Sequence, residues 1–166
     1  MSEELKVTVA TPFDVHQIME GSMRACEENG FVNVNPVKLL GEIWDALHLK
    51  NGLVGVIRGE DGILQGGILL RIGNMWYSDD VVLEEKAIFI NPDYRSAKGG
   101  RARILCEFAK QTADKLGIPL LIGVLSNHRT EGKVRLYERQ FGTPSGAFFL
   151  YGARTGSPSE KAVSNG

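Results

Sequence analysis

From Ile90 to Ala109 the chain reads INPDYRSAKGGRARILCEFA. Pro92 closes an apolar run, and Gly99 and Gly100 loosen the backbone. Arg95, Lys98, Arg101 and Arg103 crowd the same short stretch, and an apolar helical pattern follows. A strand that enters a helix through a glycine loop aims unpaired backbone N–H groups at one point, where the helix dipole adds roughly half a positive charge. Such a point binds anions and suits phosphates, and glycine lets the backbone approach a cluster of oxygens closely. The loop is not a P-loop, because G-x-x-x-x-G-K-S/T is missing. It is not a dinucleotide fingerprint either, because no G-x-G-x-x-G follows a strand here. Just upstream, Glu84 and Glu85 interrupt an otherwise apolar strand. Strict alternation sends them to opposite faces and puts Glu85 on the side of Ala87 and Phe89. The histidines, His16, His48 and His128, are scattered, which argues against a metal site. Cys26 and Cys106 sit in apolar helical patterns without metal or redox spacing and read as core residues.

The elements that must position these residues are legible from periodicity. LKVTVA alternates as a first strand. Thr11-Pro12 reads as an N-cap with proline at the first helical position, and the helix that follows places Val15, Ile18, Met19, Ser22 and Cys26 on one face before ending near Gly30. Asn35-Pro36 repeats the start signal for a second helix with Leu40, Ile43, Trp44 and Leu47 as its apolar stripe. From Gly52 the period changes to two strands around Gly59-Glu60-Asp61-Gly62, and DDVVLEEKAIFIN is another strand. A helix from about Gly99 to Leu116 stops at Gly117 and Pro119. PLLIGVLS reads as a strand buried on both faces, Thr130 to Gln140 as a short helix, and GAFFLYGA as a last strand. This order predicts an α+β domain with a mixed sheet and helices on both sides.

NPDYRSAKGGRA resembles motif A of the GCN5-related N-acetyltransferases, in which a proline closes the fourth strand and R/Q-x-x-G-x-G/A opens the next helix. Arg95 fits the first position and Gly100 the later glycine, whereas Lys98 stands where the family usually has its first glycine. VRLYERQFG resembles motif B, a helix carrying a tyrosine before a Phe-Gly turn, and the order of elements from Leu5 to Ala153 is similar throughout. The resemblance implies an N-acetyltransferase with a mostly antiparallel sheet, splayed where acetyl-CoA binds. It implies a pyrophosphate on the backbone of Ser96, Ala97, Lys98, Gly99, Gly100, Arg101 and Ala102, assisted by Arg95, Lys98 and Arg101. The pantetheine arm would lie along the strand ending Phe89-Ile90, where a backbone N–H of Phe89 or Ile88 would polarise the thioester. Asn127 would hydrogen-bond the pantetheine, and Thr130 takes the place of the motif B asparagine, reading equally as a helix N-cap. Tyr137 would be the general acid and Glu85 the base, with Glu84 in reserve. Met75, Trp76 and Tyr77 would wall the acceptor pocket, which Asp79 and Asp80 would make attractive to a cationic amine. The acceptor would be a small-molecule or protein amine that attacks directly in a ternary complex, since no cysteine has a histidine or carboxylate placed to make it a nucleophile. The alternative is a coenzyme A-binding regulatory or interaction module that transfers nothing.

With 166 residues the chain predicts a single domain, residues 1–153, followed by a polar tail at 154–166 expected to fray. The formal net charge of -1 argues against a general polyanion binder. Acidic residues also dilute the basic clusters, and no aromatic stacking platform for nucleic acid is evident. There is neither a signal pattern nor an apolar run approaching the roughly 20 residues of a membrane span, so a cytoplasmic protein is expected. A second C-terminal strand, frequent in the family, is missing after GAFFLYGA, and a homodimer partner is expected to cover that edge.

Overall fold

A computed structural model of the chain describes residues 4–95, 99–126 and 130–153. Strand β1 (Val7–Val9) leads through a 3-10 turn (Pro12–Asp14) into α1 (Val15–Asn29) and α2 (Pro36–Leu47). Strands β2 (Gly52–Arg58), β3 (Leu64–Asn74) and β4 (Val81–Ile90) follow, then a 3-10 turn (Pro92–Tyr94), α3 (Arg101–Leu116), β5 (Leu120–Leu121) and α4 (Thr130–Phe141). The Asn35-Pro36 signal acts as read, whereas Thr11-Pro12 opens the 3-10 turn and α1 begins only at Val15. Asn35 accepts from the backbone N–H of Val37 and Lys38 at 3.1 and 3.2 Å. Buried Asp14 takes the Thr11 N–H on one carboxylate oxygen at 3.0 Å and Arg58 on the other at 2.8 Å. Glycines in the left-handed region close α1 (Gly30) and α3 (Gly117), as helix ends commonly require.

The sheet runs β1-β2-β3-β4-β5 in space, antiparallel except for the parallel pair β4-β5. Helices cover both faces. On one, Ile18 of α1 and Ile43, Ala46 and Leu47 of α2 pack on Val54, Leu69 and Phe89. On the other, Leu105, Ala109 and Ala113 of α3 pack on Ile57, Ile68, Leu70 and Leu83. Phe89 occupies a slot that two glycines leave open. A Cβ on Gly21 would stand 2.5 Å from the Phe89 ring, and one on Gly67 2.6 Å from it. Gly67→Ala is therefore expected to lower stability by about 1–3 kcal/mol through overpacking, read as a fall in the urea midpoint at unchanged slope. A wild-type midpoint would show that the ring has room to move.

Several expectations need correction. The apolar stripe of α2 divides: Ile43 and Leu47 are buried, but Leu40 and Trp44 are 42% and 45% exposed, because Leu39 and Ala46 complete the core face instead. Cys106 is buried, whereas Cys26 is only half-buried. PLLIGVLS is not a strand buried on both faces. It pairs with β4 only through Leu83↔Leu120 and Glu84↔Leu121, and beyond that no strand runs from 122 to 126. GAFFLYGA forms no strand either; Phe149 is 95% exposed and Tyr151 fully so. Its residues have strand propensity, but a strand exists only when an edge pairs with it. The edge that β5 offers is two residues long.

Candidate active site

The backbone at Gly99 and Gly100 folds as these glycines require. Gly99 has φ +125° and Gly100 φ +63°, conformations that L side chains rarely adopt, and α3 begins at Arg101. The first helical hydrogen bond runs from the Ile104 N–H to the Gly100 carbonyl at 3.0 Å. The backbone N–H groups of Arg101, Ala102 and Arg103 therefore precede the helical ladder and point out of the helix start. Among the described residues, the basic side chains Arg95, Arg101 and Arg103 are not a row of waiting phosphate ligands. Arg95 donates through Nε to the Ile90 carbonyl at 3.1 Å and through Nη2 to both carboxylate oxygens of Glu28 at 2.9 and 3.1 Å. Arg101 bonds Gln65 at 3.0 Å and lies over the Tyr94 ring, and Arg103 pairs with Glu107 at 2.8 Å. What remains for an anion is a set of backbone donors, the helix dipole and a locally positive field. Ser96, Ala97, Lys98 and Asn127 lie outside the described residues.

From this loop β4 runs back with an outer edge that β5 covers only at Leu83 and Glu84. The Asn91 N–H donates to the Gln65 carbonyl on the β3 side. Alternation along the strand turns the Phe89 N–H toward β3 as well, opposite Gly67, and leaves those of Ile88 and Ile90 facing the side that β5 does not reach. Of the two backbone groups expected to reach a thioester, Ile88 is thus placed for it and Phe89 is not. Thr130 is the first residue of α4 rather than its N-cap, and its hydroxyl donates to the Ser126 carbonyl at 2.9 Å.

The carboxylates are rearranged by a bulge. Leu69 pairs with Ala87 and Leu70 with Glu85, so Lys86 is an extra residue on β4. The bulge overturns the expected alternation. Glu85 shares the α3 face with Leu83, while Ala87 and Phe89 pack on the α1–α2 face. Glu84 lies opposite Arg71 and is paired with Lys86, and Arg71 is itself held by Glu42 of α2. Glu85 instead points into the wedge where the chain after β5 parts from β4, and the Gly123 backbone there favours its charged form. Desolvation dominates there and pushes the Glu85 carboxyl up to about 7, against the smaller opposing effects of the Gly123 backbone and the charges of Lys133 and Lys86.

Two further groups share this wedge. The Tyr137 hydroxyl of α4 is pushed well above the usual phenol range, by burial first and then by the charge of Glu85. The Cys106 thiol of α3 is pushed up to about 12, again by burial first and then by Glu85 and Glu107. Both are therefore neutral and protonated at physiological pH. The Tyr137 ring is braced edge-on by Phe141, with centroids 5.8 Å apart, and Lys110 ties α4 to α3 through the Gln140 carbonyl at 2.9 Å. The structure thus brings Glu85 and Tyr137 together. Cys106, Gly123 and Lys133 join them, and none of the three carries a local sequence signal for a place in this site.

On the acceptor side the expected aromatic wall is absent. Trp76 is 95% exposed and stacks edge-on against Tyr77 in the turn between β3 and β4. The Asn74 side chain spans this turn to the carbonyls of Asp79 and Asp80 at 2.9 and 3.2 Å. A separate groove of about 580 Å³ runs between α1 and α2, lined by Val15, Met19, Val37, Leu40 and Trp44 with His16 at its side. Among the described residues no helix is long and apolar enough to cross a membrane.

This fold, a five-stranded open sheet with helices on both faces and β4 parting from β5 beside a glycine loop, is that of the GCN5-related N-acetyltransferases. Among solved structures, the chain is similar to a possible acetyltransferase from Clostridium difficile 630, with 14% identity, 90% of this chain and 97% of that chain covered, and a TM-score of 0.67. It is similar to the ribosomal-protein-alanine N-acetyltransferase of Brucella melitensis biovar Abortus 2308, at 14% identity over 87% and 97% of the two chains and a TM-score of 0.63. It also resembles AAC(6')-Iy, solved with the bisubstrate analogue CoA-S-monomethyl-acetylneamine, at 13% identity over 92% and 99% and a TM-score of 0.61. No family model matches the sequence, and no curated protein sequence matches it.

Proposed function

We propose that the protein transfers an acetyl group from acetyl-CoA to a primary amine by direct attack in a ternary complex. The observation that carries this reading is the half-buried Glu85 carboxyl, raised to about 7 and set beside a half-buried, neutral Tyr137 in the wedge between β4 and the chain after β5. A group poised near the working pH has both the right protonation state and the driving force for proton transfer. A module that only bound coenzyme A would have no use for a carboxylate whose burial opposes its charge. That neighbours of the same fold are described as acetyltransferases, one of them with a coenzyme A-linked analogue, supports the same reading.

In this mechanism the backbone N–H groups of Gly99, Gly100, Arg101 and Ala102 hold the donor's pyrophosphate, and the uncovered edge of β4 at Ile88 and Ile90 holds its pantetheine arm. Ile88 N–H polarises the thioester carbonyl as negative charge develops on it. Glu85 takes the proton from the attacking amine, directly or through a water. Tyr137 donates to the departing sulfur. Cys106 cannot replace the amine as a covalent nucleophile, since a thiol at about 12 is almost entirely protonated at pH 7. A cytoplasmic location, a homodimer that covers the exposed residues 148–151, and a small-molecule or protein amine as acceptor complete the reading. Thiol release from acetyl-CoA, followed across a panel of amines, tests it; no turnover with any amine while acetyl-CoA still binds would favour the binding module.

Tyr137→Phe separates the chemical role of this residue from packing. It keeps the ring against Phe141 and removes only the hydroxyl, so fold and donor affinity should hold while turnover falls by roughly 10–100-fold. A donor with a more acidic thiol should recover part of that loss, because its sulfur needs less protonation to leave. Wild-type turnover in Tyr137→Phe would remove the tyrosine from the chemistry.

A further inference from the structure

Arg95 stands where the resemblance puts a helper of the phosphates, yet its guanidinium is turned the other way. Nε caps the last carbonyl of β4, at Ile90, and Nη2 forks onto both oxygens of Glu28, in the last turn of α1. Arg95 also stands four residues before Gly99 in the sequence, directly after the 3-10 turn that ends β4. The side chain therefore ties three things: the end of β4, the entrance of the loop and the end of α1. The same helix is fixed on β4 farther back, where Gly21 lies flat against the Phe89 ring. Gly21 and Glu28 are two turns apart, roughly 10 Å along the helix, so α1 braces β4 at Phe89 and braces the chain beyond it at Arg95.

We propose that Glu28 is a positioning residue for the donor site, acting through Arg95, and that Arg95 is a clasp rather than a phosphate ligand. This rests on the donor reading above. A guanidinium whose Nε is held by a carbonyl and whose Nη2 is held by a carboxylate is turned away from a second anion, so its contribution is geometric. Glycines at φ +125° and +63° lose much conformational freedom on ordering. A loop whose entrance is pinned has lost part of that freedom before the ligand arrives, and its N–H groups at the start of α3 are already aimed.

The test is a double-mutant cycle on the full chain with acetyl-CoA. Glu28→Gln and Arg95→Gln should each weaken donor binding by roughly 3–10-fold, and the double variant no further, because the two residues act as one unit. The loss should fall in KM for the donor, with kcat retained at saturation, and the salt dependence of binding should stay that of wild type. Arg95→Gln weakening the donor far more than Glu28→Gln, with a flatter salt dependence, would make Arg95 a direct phosphate ligand and overturn the proposal. Tighter binding in Glu28→Gln would also overturn it, since Glu28 would then be competing with phosphate for the guanidinium. Hydrogen exchange at the amides of Gly99 to Arg103, in the ligand-free protein, should speed up in both single variants; unchanged exchange sinks the clasp. If wild type fails to bind acetyl-CoA, the donor reading fails, and the exchange experiment still decides the clasp on its own.

Discussion

Glu85→Gln should lower turnover by roughly 10²–10⁴-fold near neutral pH and, at the same time, make the ligand-free protein more stable above pH 7. The first effect follows from removing the base while keeping the shape of the side chain. The second follows from the direction of the shift. The Glu85 carboxyl sits at about 7 in the folded protein, against 4.5 for a freely solvated glutamate, so the folded chain holds its proton more tightly than the unfolded chain. The stability this confers is present at low pH, falls away as pH rises from about 4.5 to 7, and stays lost above. The shift corresponds to about 3 kcal/mol at most, before relaxation of the wedge reduces it. Glutamine never titrates, so the variant escapes this loss. Urea unfolding of both proteins at pH 4.5, 6 and 8 should show the variant gaining on wild type as pH rises. In wild type, kcat/KM should climb through about pH 7 as Glu85 loses its proton. A constant stability difference across this range would mean that the carboxyl is solvated, and equal turnover would remove it from the mechanism.

The second large effect is expected at the start of α3. Ala102→Asp places a carboxylate in the first turn, where the helix dipole welcomes it, so the helix itself should not suffer. That same position is where the donor's pyrophosphate is proposed to rest, and two anions cannot share one set of backbone donors. Acetyl-CoA binding should weaken by roughly 30-fold or more, about 2 kcal/mol, with an unchanged melting temperature. Titration calorimetry reads this directly, and an affinity within threefold of wild type would move the pyrophosphate elsewhere. Bulk at Gly100 is a poorer probe. Its backbone at φ +63° is strained for valine whatever binds nearby, so Gly100→Val confounds loss of the site with loss of the fold.

The outcome at each residue shows what could be read locally. The glycine loop, the proline that ends β4, the Asn35 cap and the helix starting at Arg101 depend on the φ and ψ preferences of a few neighbouring residues, and all are present as read. That Glu85 belongs to a strand was legible for the same reason. Which way it points was not, because period-two alternation holds only for an unbroken ladder, and the extra residue at Lys86 appears when β4 is registered against β3. Arg95 and Arg101 were legible as charges, but not as charges already engaged. Glu28 lies 67 positions from Arg95, and Gln65 lies 36 from Arg101.

The strand propensities of PLLIGVLS and GAFFLYGA were equally plain, and neither forms a full strand, since propensity describes how a residue suits a pleated surface and not whether an edge is there to receive it. Sequence by itself therefore determined the four helices, the first four strands, their order and the glycine turn before α3, all of which arise from short-range sterics and periodicity. Tertiary structure alone decided the faces, the partners and the half-buried wedge around Glu85. Burial and pairing are properties of surfaces that meet only when distant segments of the chain come together, and no window of sequence contains both sides of such a contact.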